Sequence, residues 1–194
     1  MSKLLIQGPS RLKGEIRVHG AKNSTLPLMA ASLLCDSTCV LHNCPVLSDV
    51  KTSEKILQHL GCRTGRSGSD VLIDPRGVEQ SDIPEHLMRE MRSSIVFLGA
   101  ILSRMGRAEL SFPGGCELGP RPIDLHLSAL RKMGVTIQED HGCLKCSAPE
   151  GPKGVQIAFS FPSVGATENV LLAACCAGGT TTITNAAREP EICD

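Results

Sequence analysis

The sequence predicts an α/β fold built from tandem βαβαββ units, and three observations point to it. An apolar helix followed by a short strand occurs three times, at residues 26–34 with 39–42, 95–104 with 108–112, and 167–177 with 181–184. The strands of these pairs recur about every 70 residues, longer than a solenoid period and suited to supersecondary units packed around one core. After the first two pairs comes a second helix and a strand pair, each with start and stop signals.

Taken in order, residues 3–7 and 15–19 read as short strands across the Gly8-Pro9 turn and belong to no unit. Asn23 or Ser24 is placed to cap the first apolar helix. Ser48-Asp49 reads as the N-cap of a helix that ends at Leu60, with Gly61 as its stop. Residues 62–66 and 71–74 then alternate as a strand pair. In the second unit Ser94 is placed to cap the helix at 95–104, and Pro122 suits the first turn of a helix that ends at Met133 before Gly134. Residues 135–138 and 143–147 make its strand pair. The third unit starts its second helix near Glu189-Pro190-Glu191-Ile192 and stops at Asp194. Three complete units need about 30 to 40 further residues, so the chain reads as truncated.

The 194 residues are 41% hydrophobic and 21% charged, a globular composition. Twenty basic and twenty acidic residues cancel, which argues against a nucleic-acid or anionic-membrane surface. The absence of Trp and Tyr disfavours base stacking. No apolar run is long enough to span a bilayer, and Met1-Ser2-Lys3 opens without a signal segment. Ten cysteines in a chain of this kind read as free thiols in a reducing cytoplasm, with Cys35, Cys39, Cys175 and Cys176 as small hydrophobes among Ala, Leu and Val. Cys143 and Cys146, beside His141, lack a second ligand pair at zinc spacing and read as packing on opposite faces of a strand.

The most informative segment is Pro113-Gly114-Gly115-Cys116-Glu117-Leu118-Gly119-Pro120-Arg121-Pro122. Its glycines allow sharp turns and close backbone approach, its prolines stiffen the ends, and its thiol sits where a reactive cysteine must be. Helix N-termini favour anions. Gly20-Ala21-Lys22-Asn23-Ser24 and Arg121-Pro122 each add a cation at such an end, Ser163-Val164-Gly165-Ala166-Thr167 offers amides and a hydroxyl, and Arg92-Ser93-Ser94 is a fourth candidate. Related units bring equivalent helix ends to one side of a domain, so these four are expected to converge.

These segments, with Met91-Arg92-Ser93-Ser94, Ile123-Asp124-Leu125-His126 and Asn185-Ala186-Ala187-Arg188-Glu189-Pro190-Glu191, occur in an order that closely resembles the UDP-N-acetylglucosamine 1-carboxyvinyltransferase family, the enolpyruvyl transferases of bacterial peptidoglycan synthesis. The resemblance covers the whole chain but only about the N-terminal half of a family member. It implies the enolpyruvyl transferase fold, two domains that are inside-out α/β barrels of three units each. Residues 1–20 would be a strand pair of the second, missing domain, and residues 21–194 the first domain with its third unit incomplete. The implied reaction moves the enolpyruvyl group of phosphoenolpyruvate to the 3-hydroxyl of UDP-N-acetylglucosamine and releases phosphate. That is the first committed step of peptidoglycan synthesis in the cytoplasm, tied to cell shape and division, with no cofactor and no metal. The implied partners are the two substrates and the missing C-terminal half, not nucleic acid or membrane.

Roles carry over by resemblance. Lys22 and Asn23 would hold phosphoenolpyruvate, and Cys116 would protonate its methylene carbon. Arg121, Pro122, Ile123, Asp124 and Leu125 would line the nucleotide-sugar site, joined by Arg92 and by Pro162, Ser163, Val164 and Gly165. Phe161 stands where some members carry Lys. The absent half would supply an Asp base and further arginine, so the chain alone is expected to be inactive. A non-catalytic nucleotide-sugar-binding domain is the alternative reading. A cysteine hydrolase would need a His base beside the thiol, and only His126 is near in sequence. A purely structural repeat gives no reason for the charged, glycine-rich loop.

Overall fold

A computed structural model describes residues 4–9, 11–112 and 123–193, apart from the side chain of Arg92. In the first unit, helix α1 (Lys22–Ala31) leads through a 3-10 turn at Ser32–Leu34 to strand β1 (Cys39–Leu41). Helix α2 (Ser48–Leu60) follows, then the hairpin β2 (Arg63–Ser67) and β3 (Asp70–Asp74). The second unit runs β4 (Asp82–Ile83), α3 (Glu85–Glu90), a 3-10 turn at Arg92–Val96, α4 (Phe97–Met105), β5 (Arg107–Ser111), α5 (Asp124–Lys132), β6 (Thr136–Asp140) and β7 (Cys143–Ser147). The third comprises β8 (Gln156–Ala158), α6 (Val164–Ala174), β9 (Thr182–Thr184) and α7 (Pro190–Cys193).

Each unit carries its own sheet. The second has order β4-β5-β7-β6, with β4 parallel to β5 and the remaining pairs antiparallel. The first has order β1-β3-β2, all antiparallel, and the third pairs β8 with β9 in parallel. The opening parallel strand of the second and third units therefore has no counterpart beside β1 among the described residues. Asn43 and Asn185, both at φ 57°, close β1 and β9 in the same way.

The sequence recurrence is visible in the packing. Gly99 N–H donates to Asn169 Oδ1, 70 residues away, at 2.7 Å. Ser103 Oγ donates to the carbonyls of Leu172 and Ala173, 69 and 70 residues away. Arg104 Nη1 donates to the carbonyls of Leu33 and Cys35, 71 and 69 residues away. Contacts at one constant offset mean that α1, α4 and α6 lie side by side and run the same way. Their mutual faces are the core: Met29, Phe97, Leu98, Ile101, Val170 and Ala173 are fully or almost fully buried. Helices inside and sheets outside is the inside-out α/β arrangement that the family resemblance implies.

Several expectations change. Residues 4–9 and 11–20 carry no strand. A strand needs a partner for its ladder, and here Leu4, Ile6, Ile16 and Val18 are more than 80% exposed. Ser48 is the first residue of α2, with no side-chain cap bond at that end, and Asp49 supplies the acidic first turn. Gly61, at φ 108°, does stop the helix. Helix α1 begins at Lys22 after Ala21, so Asn23 and Ser24 are inside it rather than capping it. Ser94 lies within a 3-10 turn, fully buried, and its Oγ has no hydrogen-bond partner among the described residues. Helix α6 starts at Val164, ahead of the expected 167, because Ser163 caps it by accepting from Ala166 N–H. Cys35 and Cys39 are half-buried, while Cys175 and Cys176 are exposed rather than in the core. Cys146 is buried and Cys143 faces outward, as strand alternation requires. No described helix is long and apolar enough to cross a membrane.

Candidate functional site

Because α1, α4 and α6 are parallel and in register, their N-terminal ends lie at one end of the bundle. Those ends are Lys22, the Arg92–Val96 turn and Val164. The turn touches both α1 and α6. Unpaired amides and the positive ends of three helix dipoles thus accumulate on one side of the molecule, an arrangement that favours phosphate or carboxylate.

Lys22 and Asn23 are exposed at the first turn of α1. The chain enters this turn through Gly20, where a Cβ would sit 2.1 Å from the backbone oxygen of Asn43, so only glycine allows the close approach to the end of β1. That approach sets Lys22 beside α2. Its Nζ donates to Asp49 Oδ2 at 3.0 Å, and Ser48 Oγ donates to Asp49 Oδ1 at 3.4 Å. Sequence reasoning missed Asp49 as a partner. The available signal was an acidic residue in the first turn of the helix that follows β1. A cleft of about 250 Å³ lies here, lined by Gly20, Ala21, Ser24, Thr25, Leu28 and Asn43, among others.

Helix α6 presents Ser163, Val164 and Gly165 half-buried at its start, with Pro162 exposed ahead of them. Phe161 is exposed and offers no cation. A groove of about 490 Å³ is lined by Pro162, Asn185, Ala186, Arg188 and Glu189. Helix α5 packs against α6. At the start of α5 Ile123 is buried, Asp124 exposed and Leu125 half-buried. Its next residue, His126, is buried, and burial pushes its pKa down to about 4. On α6, Glu168 is pushed up to about 7, first by burial and then by the carboxylates of Glu191 and Glu189.

The structure therefore brings Lys22 and Asn23 to the same end of the bundle as Val164 and Gly165, and sets Ile123, Asp124 and Leu125 on the helix against α6. Cys116, Arg121 and Pro122 lie outside the described residues, as does the Arg92 side chain. Another concavity, of about 410 Å³ on the outer face of the second sheet, includes Arg107, Glu109 and Lys145 and shares no residue with this end. Among the described residues no three His, Cys, Asp or Glu side chains are grouped to hold a metal.

A layered arrangement of this kind, parallel helices inside and one sheet per unit outside, defines a class. The chain belongs to the EPSP synthase (3-phosphoshikimate 1-carboxyvinyltransferase) family, which it matches over residues 6–194. Among curated relatives, UDP-N-acetylglucosamine 1-carboxyvinyltransferase 2 of Caldanaerobacter subterraneus subsp. tengcongensis is 52% identical over 194 residues, which is all of this chain and 46% of that protein. UDP-N-acetylglucosamine 1-carboxyvinyltransferase 1 of Symbiobacterium thermophilum is 46% identical across 99% of this chain and 45% of its own length. The chain thus spans a little under half the length of these relatives. In fold it is similar to the enolpyruvyl transferase NikO from Streptomyces tendae, with a TM-score of 0.81 and 23% identity over 96% of this chain and 44% of that one.

Proposed function

We propose that the chain is the part of a UDP-N-acetylglucosamine 1-carboxyvinyltransferase that grips phosphate and carries the acid. The observation that carries this reading is the whole-chain identity to relatives of that name, 52% in one case. In the reaction the sugar 3-hydroxyl adds to C2 of phosphoenolpyruvate while C3 takes a proton. Loss of phosphate from C2 together with a proton from C3 then restores the double bond on the new ether, and the hydroxyl proton passes to the Asp base expected from the second half. Cys116 is the proton donor to C3, a role for a thiol kept protonated until charge develops next to it. Lys22 and Asn23 hold the phosphoenolpyruvate phosphate, and Arg121 with Pro122 to Leu125 lines the nucleotide-sugar site beside Pro162 to Gly165 and Arg92. Fixed cations and helix ends at that position lower the cost of the departing phosphate's charge without a metal.

In this reading residues 21–194 are the first domain, and residues 1–20 go with the second. The exposure of Ile16 and Val18 supports that assignment, since both need a partner surface. The chain spans under half the length of its relatives, which favours nucleotide-sugar binding without turnover for these residues alone. The test is phosphate release from phosphoenolpyruvate and UDP-N-acetylglucosamine. No release is expected from this chain by itself, and release is expected from the protein at its relatives' full length. There Cys116→Ser should lower kcat by at least about 100-fold, the scale of a lost general acid. A Cys116→Ser enzyme that turns over normally removes the thiol from the mechanism, and turnover by the isolated chain refutes its inactivity.

A further inference from the structure

Cys35 and Cys39 stand on either side of a bend at Asp36 and Ser37, where the chain turns from the 3-10 end of α1 into β1. The near side of the bend is fixed by backbone bonds. Cys35 N–H donates to Ser32 O at 3.2 Å, and Cys35 O accepts from Arg104 Nη1 at 2.9 Å. The far side is fixed by the sheet, in which Cys39 lies opposite Ile73. Between these anchors the Cys39 side chain turns back into the bend. Its Sγ lies 3.6 Å from Ser37 O and within hydrogen-bonding reach of the Cys35 sulfur. The Cys39 pKa is pushed up to about 11, first by burial and then by the hydrogen bond to Cys35.

Neither thiol is sealed in the core. Both are half-buried, whereas Cys44, Cys62 and Cys146 are buried. Cys175 and Cys176 are more exposed, but they are adjacent in the chain. Consecutive Cα atoms are about 3.8 Å apart, below the separation that a disulfide prefers. A thiol serving only as a small hydrophobe gains nothing from a second sulfur at its side. Two thiols in contact, open to small molecules and anchored on both flanks, have a chemistry available that neither has alone.

We propose that Cys35 and Cys39 form a redox-modification site, a dithiol that a hydroperoxide converts to an intramolecular disulfide and a small external dithiol returns to the reduced form. Cys39 keeps its proton and offers it to Cys35 in a hydrogen bond, so the Cys35 sulfur attacks first as the thiolate. With hydrogen peroxide, that sulfur takes one oxygen as a sulfenic acid while the O–O bond breaks. The other oxygen leaves as water with the proton that Cys35 gave up. The Cys39 sulfur then bonds to the Cys35 sulfur, and its proton leaves with the sulfenic oxygen as a second water. Two thiols are oxidised and one peroxide is reduced. Only Asp36, Ser37 and Thr38 lie between the partners, so the ring is small and constrains the unfolded chain little. Exchange with a dithiol reverses such a bond. The site is at the C-terminal end of α1, away from Lys22, and the inference does not depend on the transferase reading.

The test treats the folded chain with hydrogen peroxide, then unfolds it, alkylates the remaining thiols and maps the tryptic peptide 23–51, which contains Cys35, Cys39 and Cys44. The expected product lacks two hydrogens, carries a single alkyl group on Cys44 and gives no backbone fragments between positions 35 and 39. Dithiothreitol added before alkylation should return the peptide with all its cysteines alkylated. In Cys39→Ser the same treatment should leave Cys35 as a sulfenic acid that dimedone traps, with no disulfide in this peptide. If that variant does not fold, the map of the unaltered chain decides the matter. The inference is overturned if all cysteines of 23–51 are still alkylated once Cys175 and Cys176 have been oxidised, or if Cys35 is oxidised while Cys39 stays alkylated. A ring that includes Cys44, or a disulfide that forms only in urea, overturns it equally. None of these outcomes touches the transferase reading, which phosphate release tests separately.

Discussion

Lys22, proposed to hold phosphoenolpyruvate, is paired with Asp49 at 3.0 Å in a setting where both side chains are partly solvated. A pair of this kind is worth no more than about 1 kcal/mol, so Asp49 can yield the ammonium to a stronger anion. Asn at position 49 would keep an oxygen that accepts from Lys22 and remove the charge that opposes phosphate. Asp49→Asn is therefore expected to tighten phosphoenolpyruvate binding by roughly two- to five-fold, and Lys22→Gln to abolish it. Titration calorimetry reads both, and weaker binding by the Asn variant would show that the carboxylate helps rather than competes. Two other residues oppose each other in pH dependence. Between pH 4 and 6.5 an unfolded chain takes up a proton at His126 that the folded chain refuses, so this group makes stability rise with pH, by about 3 kcal/mol in all. Between pH 4.5 and 7 the folded chain keeps a proton on Glu168 that the unfolded chain has released, so this group makes stability fall as pH rises. Urea midpoints measured from about pH 5 to 6.5 should climb with pH in Glu168→Gln and decline in folded His126→Phe. Parallel slopes in the two variants would refute the opposition. The carboxylates of Asp70, Asp74 and Glu90, all held below their usual range by their partners, act at lower pH.

Elements with a clear period were legible in the sequence, and short or unpartnered ones were not. The hairpins β2–β3 and β6–β7 and the helix α2 were placed to within a residue or two, since alternation and the Gly61 stop are local signals. Strands β4 and β8, two and three residues long, are too short to show alternation and were not anticipated. The helix α3 at Glu85–Glu90 escaped notice for the same reason. Residues 15–19 fail in the opposite direction, because Glu-Ile-Arg-Val-His alternates as a strand should yet has no ladder. Periodicity reports which faces are apolar and says nothing about whether an edge is available. Amide exchange separates the two cases. Ile16 and Val18 should exchange at nearly unfolded rates, whereas Leu144, in a strand paired on both sides, should be protected to near the global limit. Protection at Ile16 comparable to that at Leu144 would mean that the N-terminal segment is paired after all.

At the scale of the molecule, the parallel bundle of α1, α4 and α6 gives the site its polarity, since all three N-terminal ends share one side. Phe97, fully buried at the start of α4, packs within this bundle. Phe97→Ala should cost about 3–5 kcal/mol, read as a lowered urea midpoint with the slope unchanged, and a loss below about 1 kcal/mol would show that the bundle is not the principal core. The sequence by itself determined the tandem α/β units and their recurrence. It also located the glycine-flanked helix ends where anions are expected, because caps, stops and alternation act over a few neighbouring residues. Only the tertiary structure decided that Asp49 partners Lys22, 27 residues away, and that Asn169 holds His126, 43 residues away. Contacts at such separations leave no local period in the chain. They exist only once the helices have packed.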